Sequence, residues 1–93
     1  MFVSLCQVDL MLPDSSSLKE KRMCLSKIKQ RLRNKFNVSV AEVDQNELWQ
    51  RSTIGIALIA NKRGFAEQQI QKVVDFIETQ DYVTVLDIQN ELL

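Results

Sequence analysis

The chain reads as an α+β sandwich, and three observations lead there. Four stretches show the two-residue alternation, or the dense apolar and β-branched content, of strands. Two others carry apolar residues at helical spacing. Their order is strand, helix, strand, strand, helix, strand within 93 residues. That length suits one domain, residues 1–93, around a single modest core.

Residues 2–12 alternate as the first strand: Phe2, Cys6, Val8, Leu10 and Leu12 share one face, and Val3, Leu5, Gln7, Asp9 and Met11 the other. Pro13, Asp14 and three serines break it. Ser17-Leu18-Lys19-Glu20 is a capping box, in which the Ser17 hydroxyl accepts from the Glu20 amide and the Glu20 carboxylate reaches back. The helix it opens should run to about Phe36, with Leu18, Leu25, Ile28, Leu32 and Phe36 as its apolar stripe. Asn37 can then close it in a left-handed conformation. Residues 38–43 alternate as a second strand, and 44–52 form a polar connection containing Leu48 and Trp49. Residues 53–60 are almost wholly apolar or small, as suits a central strand. After a turn at 61–64, residues 65–79 form a second helix that turns Ala66, Ile70, Val73, Val74 and Ile77 inward. Residues 82–92 are a last strand with Asp87, Gln89 and Glu91 along one side.

Right-handed crossovers make each β-α-β pair parallel and leave room for one strand between. Interleaving the two pairs gives a four-stranded antiparallel sheet with both helices on one face, the ferredoxin-like βαββαβ sandwich. The first and third strands become central, the second and fourth become edges.

The composition narrows the function. Apolar residues make up 45% and charged residues 26%, ordinary values for a globular domain. No apolar run approaches the ~20 residues that cross a bilayer, so no membrane partner is expected. The apolar start is broken by Asp9 and has no basic leader, which argues against a secretory signal. Cys6 and Cys24 read as small apolar residues of a strand and a helix. Together these features fit the cytoplasm. There is no histidine and no Gly-rich phosphate loop, and no cofactor is expected. Asp9, Glu42 and Asp44 are the carboxylates that strands could bring together around Mg²⁺, a distant alternative that would make the chain an enzyme. Solvated edge acids account for them more simply.

Charge is distributed unevenly. The chain holds 12 basic and 12 acidic residues, yet eight of the basic ones lie within 15–40 against Glu20 alone. A segment of +7 therefore faces a remainder of −7, and an anionic partner, RNA or the ribosome, is the leading functional expectation. Lys19, Lys21 and Arg22 sit in the first helical turn, where the helix dipole disfavours cations and free amides favour anions. With Lys29, Arg31, Arg33 and Arg51 they are the candidate contacts, and Lys19, Lys21, Arg22, Arg31, Arg33 and Arg51 are expected to be exposed and without a duty in the fold. Trp49 could stack on a base, though folding back over the core edge is the simpler expectation.

Two helices cover only one sheet face. The other offers Val3, Leu5 and Met11, where a monomer would place polar residues. A homo-oligomer that buries them is expected, a two-fold dimer being its simplest form. An interaction or regulatory module that needs no nucleic acid is thus the second functional reading.

Ser17-Leu18-Lys19-Glu20-Lys21-Arg22, Lys35-Phe36-Asn37-Val38-Ser39-Val40-Ala41-Glu42, Leu48-Trp49-Gln50-Arg51 and Gly55 together resemble the YlxP-like family, small bacterial proteins classed as a domain of unknown function. The resemblance covers nearly the whole chain. It implies a ferredoxin-like sandwich in a bacterial cytoplasm, with genes often beside those of translation initiation and ribosome maturation. It implies no catalytic residue.

Overall fold

The computed structural model describes all 93 residues. It contains β1 (Phe2–Met11), α1 (Leu18–Lys35), β2 (Ser39–Asp44), β3 (Arg51–Ala60), α2 (Arg63–Glu78) and β4 (Thr84–Leu92). All strand pairs are antiparallel, in the order β2-β3-β1-β4, so the two strands expected at the centre are there.

The alternation of β1 sets the layers. Ser4, Cys6, Val8 and Leu10 are buried, and their β3 partners Leu58, Ile56 and Ile54 are buried with them. Both helices pack on this face. Leu25, Ile28 and Leu32 of α1 and Ala66, Ile70, Val73, Val74 and Ile77 of α2 join one hydrophobic cluster with it. α1 lies against β2, and α2 against β1, β3 and β4. The fold is the ferredoxin-like α+β sandwich, with the opposite sheet face left open.

The end of α1 differs from expectation. Asn37 is not left-handed; the helix stops at Lys35, and Phe36 leaves in an extended conformation while its amide still donates to the Leu32 carbonyl. Leaving there lets the Phe36 ring meet Phe76 of α2 edge to face, with centroids 6.1 Å apart. The residue with positive φ is Gln45 instead, at 60° in the β2–β3 loop. Two bulges interrupt the sheet, at Leu86 in β4 and at Val43 in β2. Val43 folds across Gly55, where an added Cβ would lie 2.9 Å from Val43 Cγ1, so this close approach needs the glycine.

Lys21 is fully buried, which corrects the expectation that it is an exposed cation. It occupies the core face of α1 between Leu18 and Leu25. Its Nζ lies 3.0 Å from Glu42 Oε2 and donates to the carbonyls of Gln45 at 2.9 Å, Asn46 at 3.0 Å and Arg51 at 3.3 Å. Glu42 also accepts from Ser52 Oγ at 2.7 Å. The ammonium thus joins α1, β2, the β2–β3 loop and the start of β3. Lys21→Met should cost on the order of 3 kcal/mol in urea unfolding, since it strands the Glu42 charge and three carbonyls. Amides of residues 45–51 should exchange faster in the variant. A cost under about 1 kcal/mol would show the buried ammonium to be dispensable.

Candidate functional site

The rotation of α1, set by Lys21 and the apolar stripe, sorts the remaining cations into two flanks. One flank faces α2 and the approach to β4. There Lys27 Nζ lies 4.5 Å from the centre of the Tyr82 ring, and the Arg31 guanidinium 5.7 Å from it. Arg31 also donates to Gln80 Oε1. Lys35 Nζ stands 4.9 Å from the Phe76 ring centre. These three have aromatic partners within the fold.

The other flank runs along the outer rim of β2, an edge strand. Arg33 lies on it and donates to the Val40 carbonyl at 2.9 Å. Arg22 and Lys29 share this side by helical spacing, with Lys19 a little further round. Lys19, Arg22 and Arg33 are exposed and Lys29 half-buried. None of the four has a carboxylate within ion-pair distance, because the chain's ion pairs are Lys21–Glu42 and Arg63–Glu67. The flank is therefore an uncompensated positive stripe.

Two expected contributors are absent from it. Lys21 is spent inside the fold. Arg51 opens β3 opposite Met11, in the register that faces away from the helices, and its Nε is buried without a hydrogen-bond partner.

The anion trap expected at the helix start is occupied by the protein itself. Ser17 Oγ accepts from the Glu20 amide at 3.1 Å, as the capping box requires. The Glu20 carboxylate reaches one residue further back than expected, accepting from the Ser16 amide at 2.7 Å and the Ser16 hydroxyl at 2.9 Å. The backbone bond first, and the hydroxyl second, hold the Glu20 carboxyl below its ordinary pKa.

The open sheet face is divided. At one end Val3 and Leu5 are half-buried, while Ile59 is 63% and Val43 51% exposed. Between them lies a shallow apolar hollow of about 350 Å³ over Gly55, walled by Leu5, Ala41, Val43 and Ala57. Met11, 37% exposed, sits at the other end. That end holds a polar hollow of about 190 Å³ lined by Asp9, Asp44 and Asp87 among Gln7, Gln45 and Gln89. Thr53 Oγ1 donates to Asp9 Oδ1 at 2.6 Å and accepts from Gln45 Nε2 at 2.8 Å.

Glu42 is not in that hollow. It faces the helices and pairs with Lys21, so the expected set of Asp9, Glu42 and Asp44 is divided between the two sides of the sheet. Asp87 takes the third place, but no three acids or cysteines converge as metal ligands. Sequence reading missed this grouping because alternation puts Asp87 on a strand face without setting which β1 residue lies opposite it. Trp49 is 54% exposed and does not fold back over the core. Both cysteines are free thiols, and burial raises that of Cys6 to a pKa of about 11.

The Glu20 geometry has a pH signature. A carboxyl whose folded pKa lies below its unfolded value stabilises the fold above the unfolded value, and that support disappears as pH falls through the folded value. Glu20→Ala should therefore lower the melting temperature at neutral pH and leave it unchanged in acid below both values. An equal loss at both pH values would show that the ionised carboxylate is not the source of the stabilisation.

Comparison with known proteins agrees with the family resemblance that the motifs carry. No helix is long and apolar enough to cross a membrane. The family described as "Protein of unknown function (DUF503)" matches residues 3–90. The "Uncharacterized protein YlxP" of Bacillus subtilis (strain 168) is 38% identical over 77 residues, which cover 83% of this chain and 84% of that protein. A match along almost the entire domain, with this level of identity to a relative of similar length, shows that the chain belongs to the DUF503 family of YlxP-like proteins.

Proposed function

We propose that the protein is an RNA-associated binding protein, ribosomal RNA being the first ligand to try, and that it contacts phosphates through the β2-side flank of α1. The observation that carries this reading is the charge imbalance of that flank. Lys19, Arg22, Lys29 and Arg33 lie along one side of one helix with no acid paired to them. Uncompensated cations in a row raise the local concentration of a polyanion and release its counterions on contact. Arg31 is a weaker contact in this scheme, since Gln80 and Tyr82 already hold it. The exposed Trp49 ring belongs to the loop that Lys21 tethers to α1, which places a stacking surface near the helix start. A cytoplasmic site of action accompanies the proposal.

The competing reading is a homo-oligomeric module that uses the open sheet face and needs no nucleic acid. The exposed Ile59 and Val43 beside Leu5 favour it. The two are compatible, because the stripe lies on the helical layer and the apolar patch on the opposite sheet face.

Titration of labelled ribosomal RNA at several salt concentrations tests the RNA reading. Three phosphate contacts predict a roughly 40-fold loss of affinity between about 50 and 200 mM salt. Arg22→Ala with Lys29→Ala should flatten that slope by about two contacts. No binding at low salt, or a flat salt response by the unmodified chain, rejects the proposal.

A further inference from the structure

We infer that the open sheet face receives an amphipathic helix of a different protein, apolar where it crosses the hollow and cationic where it passes the acidic row. The face offers both halves of such a contact. Ile59, 63% exposed, and the half-buried Val3 and Leu5 border the apolar hollow of about 350 Å³, which forms where Ala41, Gly55 and Ala57 have little or no side chain. Val43 makes one wall of it by folding across Gly55. Asp44, Asp9 and Asp87 cross the sheet in one row with Thr53, as the strand pairings align them. The middle of the hollow lies about three strand residues, roughly 10 Å, from that row. On a helix laid along the strands, a residue seven positions from the apolar anchor shares its face and lies about 10.5 Å away. A helix suits the face better than an extended segment, because a strand lying flat on a sheet would leave its own amides and carbonyls unpaired.

Charge selects the partner. The strand residues of this face include Asp9, Asp44, Asp87 and Glu91 against Arg51, four carboxylates to one guanidinium, a balance of −3. None of the five belongs to either ion pair of the chain. Asp9 and Asp87 stand directly opposite each other on neighbouring strands, a like-charge pairing that is destabilising. The fold thus bears a repulsion that an arriving cation would relieve. A polyanion or an anionic membrane surface would add to it. So would a second copy, which brings the same excess of carboxylates to the contact. A basic partner reverses the sign, and an apolar anchor seated in the hollow fixes its position along the strands. The basic flank of α1 lies on the opposite layer, so an RNA there and a basic helix here do not compete.

Selection from a phage-displayed library of peptides of about 16 residues, roughly 24 Å of helix, on the nuclease-treated full chain in physiological salt tests the assignment. Enriched sequences should carry apolar residues at helical spacing, with Lys or Arg one to two turns beyond them. The tightest of them, made synthetically, should become helical on binding by circular dichroism. Asp9→Asn with Asp87→Asn should weaken its binding roughly tenfold or more. The same pair should leave the melting temperature unchanged or higher, since it removes a repulsion. Ala57→Arg, which fills the hollow and opposes the arriving cations, should abolish binding. No enrichment, enrichment of sequences that are acidic, proline-rich or without cations, or equal affinity for the doubly substituted chain overturns the inference. Displacement of the peptide by ribosomal RNA overturns it as well, by moving the contact to the α1 flank. A reversible dimer in sedimentation equilibrium that Ala57→Arg dissolves also overturns it and gives the face to a second copy.

Discussion

An ammonium in a hydrophobic core has to be matched almost atom for atom, because each unmatched proton costs desolvation energy that apolar packing does not return. Lys21 meets that requirement with the Glu42 carboxylate and three backbone carbonyls. All these oxygens come from β2, the β2–β3 loop and the start of β3. The left-handed turn at Gln45 is part of the arrangement, as it presents the Gln45 carbonyl to both Lys21 Nζ and the Leu48 amide. The same segment is tied a second time where Gln50 Nε2 donates to the carbonyls of Pro13 and Ser15. One buried charge therefore fixes how α1 is rotated on the sheet. That rotation decides which cations face aromatic rings and which face solvent along β2.

The domain is consequently polarised in charge. The helical layer presents a basic stripe beside an edge strand, while the far side of the sheet gathers Asp9, Asp44 and Asp87 at one end and apolar side chains at the other. A chain with no formal net charge can thus be attractive to a polyanion on one side and repellent to it on the other. Polyanion binding would use only one layer and leave the opposite layer available for a protein partner.

Much of the architecture was legible because local signals agreed with one another. The buried residues of β1 are Ser4, Cys6, Val8 and Leu10, the 53–60 segment is central, and both helices bury the residues their spacing selected apart from the half-buried Leu18. Such agreement across levels is what makes a fold readable. The candidate site was legible only in part. Lys21 falls at helical spacing with Leu18, Leu25, Ile28 and Leu32, so the apolar stripe itself marked it as inward-facing; its residue type concealed this. Glu42 is likewise an inward position of an alternating strand, between Val40 and the bulge. The grouping of Asp87 with Asp9, and the turn of Arg51 away from the helices, depend on strand register, which composition does not encode. Asn37 was expected to end α1 by its intrinsic liking for left-handed backbone, but the Phe36–Phe76 contact decides the exit instead.

The burial of Lys21 also makes its chemistry distinct from that of every other lysine in the chain. Acylating reagents and lysine-modifying enzymes need a free, approachable amine lone pair, and this nitrogen is enclosed and fully engaged as a donor. In the native state it should remain unlabelled while its neighbours Lys19, Lys27 and Lys29 react. Its slow acquisition of label would act as a clock for the opening of α1 from the sheet, built into the chain without any added probe.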